Sequence, residues 1–237
     1  MVAPPLDGQP TPGLALHASV YEELRRRILT GKIMPGVSLS TRGLAAELGI
    51  SQMPVRDALS RLAADGAIAI RSKRRIEVPE MTIERFTDLL DCRLLLEPAA
   101  AAFALCHIGP VLLRELRASD EALDRAIAAG DPIAYMEANH AFHFGIYRAN
   151  ERPTLNRAIE ALWLQFGPFM RLVYGRYGTS GLIDQHAVAL DAIAANDPNA
   201  LSAAIAADIV DGMGLLGRAS FPATALGAPD WPHRARS

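Results

Sequence analysis

Short amphipathic segments, each ended by glycine or proline, make up the first part of the chain. The segment from Ala18 to Thr30 carries apolar residues at helical spacing, which predicts a helix with one buried face. These apolar residues are Val20, Leu24, Ile28 and Leu29. Two shorter helices are predicted over 42–48 and 54–65, because a serine or threonine that can cap a helix precedes each and a glycine follows each.

Two short strands are predicted directly after these helices. The predicted strands, 67–70 and 76–78, are apolar apart from Glu77, and they flank a basic turn from Arg71 to Arg75. Two short helices followed by a basic hairpin are the order of a winged helix-turn-helix. We therefore expect a DNA-binding domain over residues 17–79, preceded by a flexible, proline-rich segment over residues 1–16.

From Met81 onward the sequence has only helical periodicity. Six helices are predicted, and proline stands at the start of three of them, where its missing N–H costs no hydrogen bond. Their predicted bounds are 82–107, 110–129, 132–149, 152–175, 181–196 and 198–217. The predicted fold is therefore mainly α: an N-terminal winged helix-turn-helix, then an all-α six-helix bundle over 80–217, then a flexible tail over 218–237.

The charges divide the chain at the same place. The net charge is -2, yet the stretch from His17 to Pro79 has 11 Lys/Arg and 6 Asp/Glu, a balance of +5. The rest of the chain has 13 Lys/Arg and 20 Asp/Glu, a balance of -7. A basic segment joined to an acidic remainder indicates a nucleic-acid-binding module attached to a domain that does not touch phosphate.

Composition also bears on cellular location. Of the 237 residues 50% are hydrophobic, but no uninterrupted apolar run reaches the roughly 20 residues of a membrane span. Residues 1–13 lack the charged start and apolar stretch of a signal peptide. The two cysteines, Cys92 and Cys106, make no disulfide framework. We therefore expect a cytoplasmic protein without membrane contact.

The second short helix of the N-terminal module is predicted to enter the major groove with its first residues foremost. Arg56 can contact a guanine edge, Gln52 can contact an adenine edge, and Arg42 can reach a phosphate or a base. The predicted DNA-binding residues are Thr41, Arg42, Ser51, Gln52, Met53, Arg56, Lys73, Arg74 and Arg75. The alternative is that Arg56 pairs with Asp57 or another neighbour and that the basic turn is a solvated loop.

This module resembles the GntR family of bacterial regulators over about residues 18–79. The resemblance rests on the stretches Leu24–Gly36 and Leu44–Leu62, the second of which contains the run Pro-Val-Arg-Asp-Ala-Leu. It implies a dimer that binds a short palindromic operator, with Arg42, Arg56 and the wing as contacts. Arg75 departs from the family pattern, because glycine usually stands at that place in the wing tip.

The helical part, about 81–217, resembles the FCD effector domain of the FadR branch of that family, and six helices point to its shorter, VanR-like variant. The matching segments are Arg93–Ala99, Asn139–His143 with Asn150, and His186 with Ala192, Ile193 and Asp197. The resemblance implies a divalent metal, which many such domains hold with an Asp, a His four residues later and two further His. The corresponding positions here are Asn139, His143, His186 and Asp208, so that Asn replaces Asp and Asp replaces His.

Helix geometry favours grouping these four residues. Asn139 and His143 lie one turn apart on one helix face. His186 and Asp208 each lie 11 residues from Asp197, at the turn of a predicted antiparallel hairpin. Two imidazoles, a carboxylate and an amide oxygen suit Zn²⁺, Ni²⁺ or Mn²⁺. The alternative is that both histidines are hydrogen-bonded core residues and that Asn139 caps a polar pocket.

The resemblance also implies an arginine that receives the carboxylate of a small effector, and Arg93 occupies that position. The alternative is an ion pair between Arg93 and Glu97 or Asp91. Weaker candidates for the effector pocket are Tyr135, Gln165 and Arg171. His140 is predicted to face away from the metal ligands.

Taken together, the residues and the resemblance predict a ligand-responsive, homodimeric transcriptional regulator, a repressor in the usual case, of a catabolic operon. Its effector would be a small organic or sugar acid that shifts a population of two states. One alternative is a dimer stapled by metal without a small-molecule effector. A metalloenzyme is disfavoured, because no second carboxylate or histidine stands at the spacing of a general base and the DNA module would be unexplained. We therefore expect no enzymatic activity.

Overall fold

The computed structural model describes the backbone over 12–72, 75–177 and 184–220, and side chains over 16–72, 75–170 and 184–217. Several sequence predictions lie outside these residues. They are the first part of the flexible N-terminal segment, the wing residues Lys73 and Arg74, the side chain of Arg171, and the tail beyond residue 220.

Three helices and a two-stranded hairpin form the N-terminal module. In chain order they are α1 (Pro12–Leu29), α2 (Thr41–Leu48), α3 (Gln52–Ala64), β1 (Ala69–Ser72) and β2 (Arg75–Glu77). The strands pair antiparallel with Ile70 opposite Ile76, and Leu39 forms an isolated bridge to Ile76. Helix α1 packs on α3, and the apolar side chains at this junction are buried. The winged helix-turn-helix is therefore confirmed.

All three helices of this module begin earlier than predicted: α1 at Pro12 rather than Ala18, α2 at Thr41 rather than 42, and α3 at Gln52 rather than 54. Ser40 caps α2, because its hydroxyl accepts a hydrogen bond from the Gly43 N–H at 3.0 Å. Ser51 holds the corresponding position before α3, but its side chain makes no capping hydrogen bond. The exposed Ser51 hydroxyl is thus not used by its own helix.

The first strand begins at Ala69, later than the predicted Ala67. The reason lies at the end of α3, where Gly66 has a φ of 72°, a backbone conformation that favours glycine. The Ala67 N–H then donates to the Leu62 carbonyl at 3.0 Å and closes the helix end. Ala67 is therefore buried beside the helix rather than paired in the hairpin.

Six helices form the rest of the described chain, as predicted. They are α4 (Ile83–Ala104), α5 (Pro110–Ala129), α6 (Pro132–Tyr147), α7 (Pro153–Tyr177), α8 (Gln185–Ala194) and α9 (Pro198–Ser220). A short 3₁₀ turn, Leu105–His107, follows α4 where the sequence predicted continuous helix. Proline begins four of the six helices, in keeping with the restricted φ of proline. The mainly α fold class is confirmed.

The bundle core lies between paired helices. Helix α4 packs on α9 and α7, α5 packs on α6, and α8 packs on α9. The segment Pro198–Gly217 of α9 is long and apolar enough to cross a membrane, although a core helix passes the same test. One face of α9 is buried in the bundle through Leu201, Ala204, Ile205, Ile209, Met213 and Leu216. Helix α9 thus contributes one buried face to this core.

Helix α1 joins the N-terminal module to the bundle by packing on α7. The approach is close at Gly167, where a β-carbon would stand 2.8 Å from the Leu29 carbonyl oxygen. A second contact links Arg85 of α4 to the Gly66 carbonyl oxygen at 3.1 Å. Gln165 also lies at this junction and donates to the Asp65 carbonyl oxygen at 3.1 Å.

Candidate DNA-binding surface and buried metal centre

The first turn of α3 presents an exposed row of side chains. Gln52, Met53 and Arg56 are exposed, and Met53 keeps 58% of its surface despite being apolar. The opposite face of α3 is anchored by buried Val55 and Leu59. The apolar residues therefore fix the helix while its polar face points outward, as a recognition helix requires.

Arg56 makes no ion pair with any residue that the structure describes. Its neighbour Asp57 is instead within 3.0 Å of His17 Nδ1 on α1. The predicted alternative, in which Asp57 neutralises Arg56, is therefore not the arrangement observed. Arg42 is likewise exposed at the start of α2, beside the half-buried Thr41.

The wing carries cations that share one carboxylate. Arg71 Nε donates to Glu77 at 3.1 Å, and Arg75 Nε donates to Glu77 at 2.9 Å. The hydrogen bond from Arg71, together with that from Arg75, lowers the pKa of Glu77. Both arginine side chains remain more than 60% exposed. Their remaining N–H groups can therefore still meet phosphate.

Inside the bundle, three of the four predicted metal ligands converge from three helices. They are His143 of α6, His186 of α8 and Asp208 of α9. The two Nε2 atoms are 3.3 Å apart, and Asp208 oxygens lie 3.1 Å from His143 Nε2 and 3.9 Å from His186 Nε2. Both histidines are buried, whereas the Asp208 side chain keeps 29% of its surface. The cluster can therefore hold a cation that still has an open side.

Capping residues determine where helices α8 and α9 begin. The Asp184 side chain caps α8 by accepting from the Ala187 N–H at 3.1 Å. The Asp197 side chain caps α9 by accepting from the Asn199 and Ala200 N–H groups. Because Asp197 stands at the turn, His186 and Asp208 come level on the two antiparallel helices. The hairpin symmetry read from the sequence thus matches the observed arrangement.

Burial and charge have opposite effects on the pKa values of this cluster. Burial raises the pKa of Asp208, but contact with His143 and the charges of the imidazoles and Arg93 lower it to about 2. Burial lowers the pKa of His186, but the hydrogen bond with Asp120 and nearby carboxylates raise it overall. Burial lowers the pKa of His143. Burial therefore favours the neutral form of His143, and its partners favour the ionised form of Asp208, a combination that suits a cation.

Asn139, the fourth predicted ligand, lies one helical turn before His143 on α6. Its side chain is only 9% exposed. It makes no hydrogen bond to another residue of the described ranges. No buried side-chain nitrogen or oxygen of the described residues lacks a hydrogen-bond partner, so the unpartnered amide atoms of Asn139 keep some exposure, and the amide oxygen is available for a ligand.

Arg93 of α4 is held in a buried ion pair. Its Nε donates to Glu97 at 2.5 Å, and its guanidinium lies over the Phe166 ring at 3.9 Å from the centroid. Glu97 also accepts from the Trp163 indole N–H at 3.0 Å and from the Tyr147 hydroxyl at 2.8 Å. This geometry corresponds to the ion-pair alternative, and a role of Arg93 in effector binding stays a prediction.

The weaker effector candidates are spread over the molecule. Tyr135 is partly buried on α6, two turns before His143. Gln165 accepts from Arg85 at 3.2 Å at the junction with the N-terminal module. His140 is directed to another part of the bundle, where it stacks on Phe144 with centroids 4.2 Å apart.

Sequence reasoning missed two residues that touch the histidines. Asp120 of α5 lies 3.2 Å from His186 Nδ1, and the Tyr147 hydroxyl lies 3.1 Å from His143 Nδ1. Tyr147 could have been found, because it follows His143 by four residues on the same helix face. Asp120 offers no such signal, because only the packing of α5 against α8 brings it close.

Comparison with known proteins assigns both modules to known families. Residues 16–78 match the family model of bacterial regulatory proteins of the gntR family, and residues 88–211 match the FCD domain. The chain is 31% identical to the HTH-type transcriptional regulator McbR of Escherichia coli over 187 residues, which cover 78% of this chain and 85% of McbR. The structure of E. coli McbR/YncC superposes with a TM-score of 0.80 at 29% identity, covering 86% of this chain and 97% of that one.

Two further relatives are named for the operons they control. The probable D-xylose utilization operon repressor of Paenarthrobacter nicotinovorans is 27% identical over 181 residues, which cover 76% of this chain and 80% of the relative. The gluconate operon repressor of Bacillus subtilis is 30% identical over 152 residues, which cover 64% of this chain and 60% of that repressor. All these relatives are transcriptional regulators and not enzymes. The chain therefore belongs to the GntR family of bacterial transcriptional regulators, whose members bind operator DNA, and it carries an FCD domain.

Proposed function

We propose that this protein is a dimeric, cytoplasmic, metal-containing repressor of a catabolic operon and that a small organic or sugar acid is its effector. The observation that carries this proposal is the convergence of His143, His186 and Asp208 inside a bundle attached to an exposed recognition helix. The names of the D-xylose and gluconate operon repressors support the choice of a catabolic operon.

The DNA contacts follow from exposure and charge. Gln52, Met53 and Arg56 would face base edges, while Thr41, Arg42 and Ser51 would meet phosphates or neighbouring bases. The wing, with Lys73, Arg74 and Arg75, would add phosphate contacts. A palindromic operator requires a two-fold partner, so we expect a homodimer in which the bundle supplies the main contact.

The residues of the buried cluster fit a divalent metal. Two ligand nitrogens about 2.0–2.1 Å from one ion lie roughly 2.8–3.0 Å apart at the right angle of an octahedron and roughly 3.3–3.4 Å apart in a tetrahedron. The two Nε2 atoms are 3.3 Å apart, which matches the tetrahedral spacing. With Asp208 as the carboxylate and Asn139 as an amide ligand, the donor set suits Zn²⁺, Ni²⁺ or Mn²⁺.

Charge favours an anionic effector at this centre. One carboxylate beside two neutral imidazoles compensates a dication only in part, so a carboxylate ligand is attracted. Because Arg93 is already bound by Glu97, the metal is the more direct attachment point. Roles of Arg93, Tyr135, Gln165 and Arg171 in the pocket are predictions that variants of each can test. Binding would control DNA affinity only if the effector prefers one of the two states.

A metal-stapled regulator without a small effector is the second candidate. It is favoured by the origin of the three ligands on α6, α8 and α9, because an ion there would join helices that are separate in the sequence. A thermal-shift screen of organic acids against the metal-loaded protein separates the two candidates. Stabilisation by an acid favours the effector-responsive regulator, and stabilisation by metal alone favours the second.

Metal titration tests the centre itself. Protein purified without chelator or metal-affinity column is analysed for bound elements, stripped, and titrated with Zn²⁺, Ni²⁺ and Mn²⁺. We expect one ion per chain, strongly weakened binding in Asp208→Ala, and tighter binding in Asn139→Asp, which adds a carboxylate. Asp191→Ala, an exposed carboxylate on α8, is the matched control and should bind as the parent does. Absence of uptake by the parent at micromolar metal would refute the metal centre.

A further inference from the structure

We infer that Tyr147 and Asp120 are positioning residues that keep the ring protons of His143 and His186 on Nδ1, so that both Nε2 lone pairs point at one cation position. The inference rests on the metal centre proposed above. It adds an outer layer to that centre, contributed by α6 and α5, and it assigns a role to the buried ion pair of α4.

The proton on His143 is fixed by a chain of hydrogen bonds. The Tyr147 hydroxyl has one hydrogen, which it donates to Glu97 Oε2 at 2.8 Å. Its oxygen can then only accept from His143 Nδ1, which lies 3.1 Å away. The Nδ1 atom of His143 therefore carries the proton, and its Nε2 atom has a free lone pair.

Glu97 is held as an acceptor by its other partners. Arg93, Trp163 and Tyr147 all direct N–H or O–H groups at its two oxygens, and the carboxylate is fully buried. The guanidinium and the indole can only donate. The buried Arg93 guanidinium needs acceptors for its N–H groups, and the two oxygens of Glu97 supply them. The ion pair between Arg93 and Glu97 therefore sets the direction of the Tyr147 hydroxyl.

His186 is fixed in the same way by a different helix. Asp120 Oδ1 lies 3.2 Å from His186 Nδ1, and the Asp120 side chain is 17% exposed. An ionised carboxylate only accepts, so the Nδ1 atom of His186 must carry the hydrogen. A carboxylate that holds the outer nitrogen of a histidine is a common means of orienting a metal-binding imidazole.

The two fixed rings leave acceptors facing each other. The Nε2 atoms are 3.3 Å apart, and Asp208 brings an oxygen to 3.1 Å from His143 Nε2. Two lone pairs and a carboxylate cannot satisfy one another, so a proton or a metal ion must lie among them. An ordinary pair of core histidines would instead alternate donor and acceptor through their own ring protons.

Nuclear magnetic resonance of the ring nitrogens tests the inference without any metal. Long-range ¹H–¹⁵N spectra of the metal-free protein report which nitrogen of His143 is protonated, and a His143→Gln variant assigns that signal among the 6 histidines. We expect the proton on Nδ1 in the parent. In Tyr147→Phe we expect it on Nε2, where it can donate to Asp208. Tyr21→Phe removes a comparable hydroxyl, bonded to Asp65 in the N-terminal module, and should leave the His143 signal unchanged.

Zinc titration of the same variants measures the consequence. Loss of an outer partner of a metal-binding histidine commonly weakens affinity by about 10- to 100-fold, and we expect that change in Tyr147→Phe and Asp120→Ala. Asp120→Asn keeps an oxygen acceptor and should fall between Asp120→Ala and the parent. Asp120 variants also carry the test if Tyr147→Phe does not fold.

The possible results distinguish a failure of the positioning role from a failure of the proposed metal centre. If the parent binds no metal, the metal centre fails, while the position of the His143 proton still tests Tyr147. If the parent binds zinc and the Tyr147→Phe and Asp120→Ala variants keep its affinity and its ring tautomers, the positioning role is overturned. A tautomer change together with weaker zinc binding, both absent in Tyr21→Phe, supports it.

Discussion

The same residue type has opposite surroundings in the two modules. Arg56 on the recognition helix is exposed and has no ion-pair partner among the described residues, because Asp57 is engaged by His17. Arg93 in the bundle is 4% exposed and bound to Glu97. Arg56 was predicted to contact a guanine edge of DNA, and Arg93 was predicted to receive the carboxylate of an effector. An arginine is free for a partner only where the fold leaves its charge uncompensated.

Neighbouring positions on helix α6 also have opposite surroundings. On α6, His143 belongs to the buried cluster, and Asn139 lies one turn before it and is also buried. Glu137, two residues before Asn139, is exposed and pairs with Arg26 of α1 at 3.0 Å. Helix α6 therefore carries candidate metal ligands on one side and contacts to the DNA-binding module on the other.

The largest expected effect comes from removing the buried counter-charge. Glu97→Gln keeps the shape of the side chain but leaves Arg93 uncompensated in the core, where loss of one partner costs about 3–5 kcal/mol. We expect the free energy of unfolding to fall by that amount in urea denaturation. Glu77→Gln, whose arginine partners in the wing are exposed, is the control and should hardly move the midpoint. Equal effects would mean that burial does not distinguish the two regions.

An intermediate effect is expected at the recognition helix. Arg56→Ala should weaken operator binding by about 1–3 kcal/mol and relax specificity at one base pair, because a bidentate contact to a base is lost. Fluorescence anisotropy at one fixed salt concentration measures it. Arg114→Ala, an exposed arginine of α5, removes the same charge far from the DNA and should have little effect. Unchanged binding by Arg56→Ala and Arg42→Ala would show that the recognition helix is misplaced.

Some features of the bundle and of its buried site could be predicted from the sequence, and others could not. Glycine and proline punctuation placed all six bundle helices. The resemblance to the FCD domain implied His143, His186 and Asp208 as metal ligands, and helix periodicity with hairpin symmetry supported grouping them. These signals are local or involve neighbouring helices. The contacts of Gln165 with Arg85 and Asp65 could not be predicted, because periodicity gives a helix face but not the element that covers it. Asp120 was missed because the register of α5 on α8 depends on side-chain packing along both helices.

The smallest expected effect is at the contact between α6 and α1. Glu137→Gln removes an exposed ion pair with Arg26, and such pairs are typically worth about 0.2–1 kcal/mol. Because α6 also carries His143, we expect the variant to reduce the difference in operator affinity between metal-loaded and metal-free protein by no more than that amount. Titrations of both forms measure this difference. Glu121→Gln removes an exposed pair with Arg125 within α5 and is the matched control. If both variants change the difference equally, α6 does not link the metal centre to the DNA-binding module.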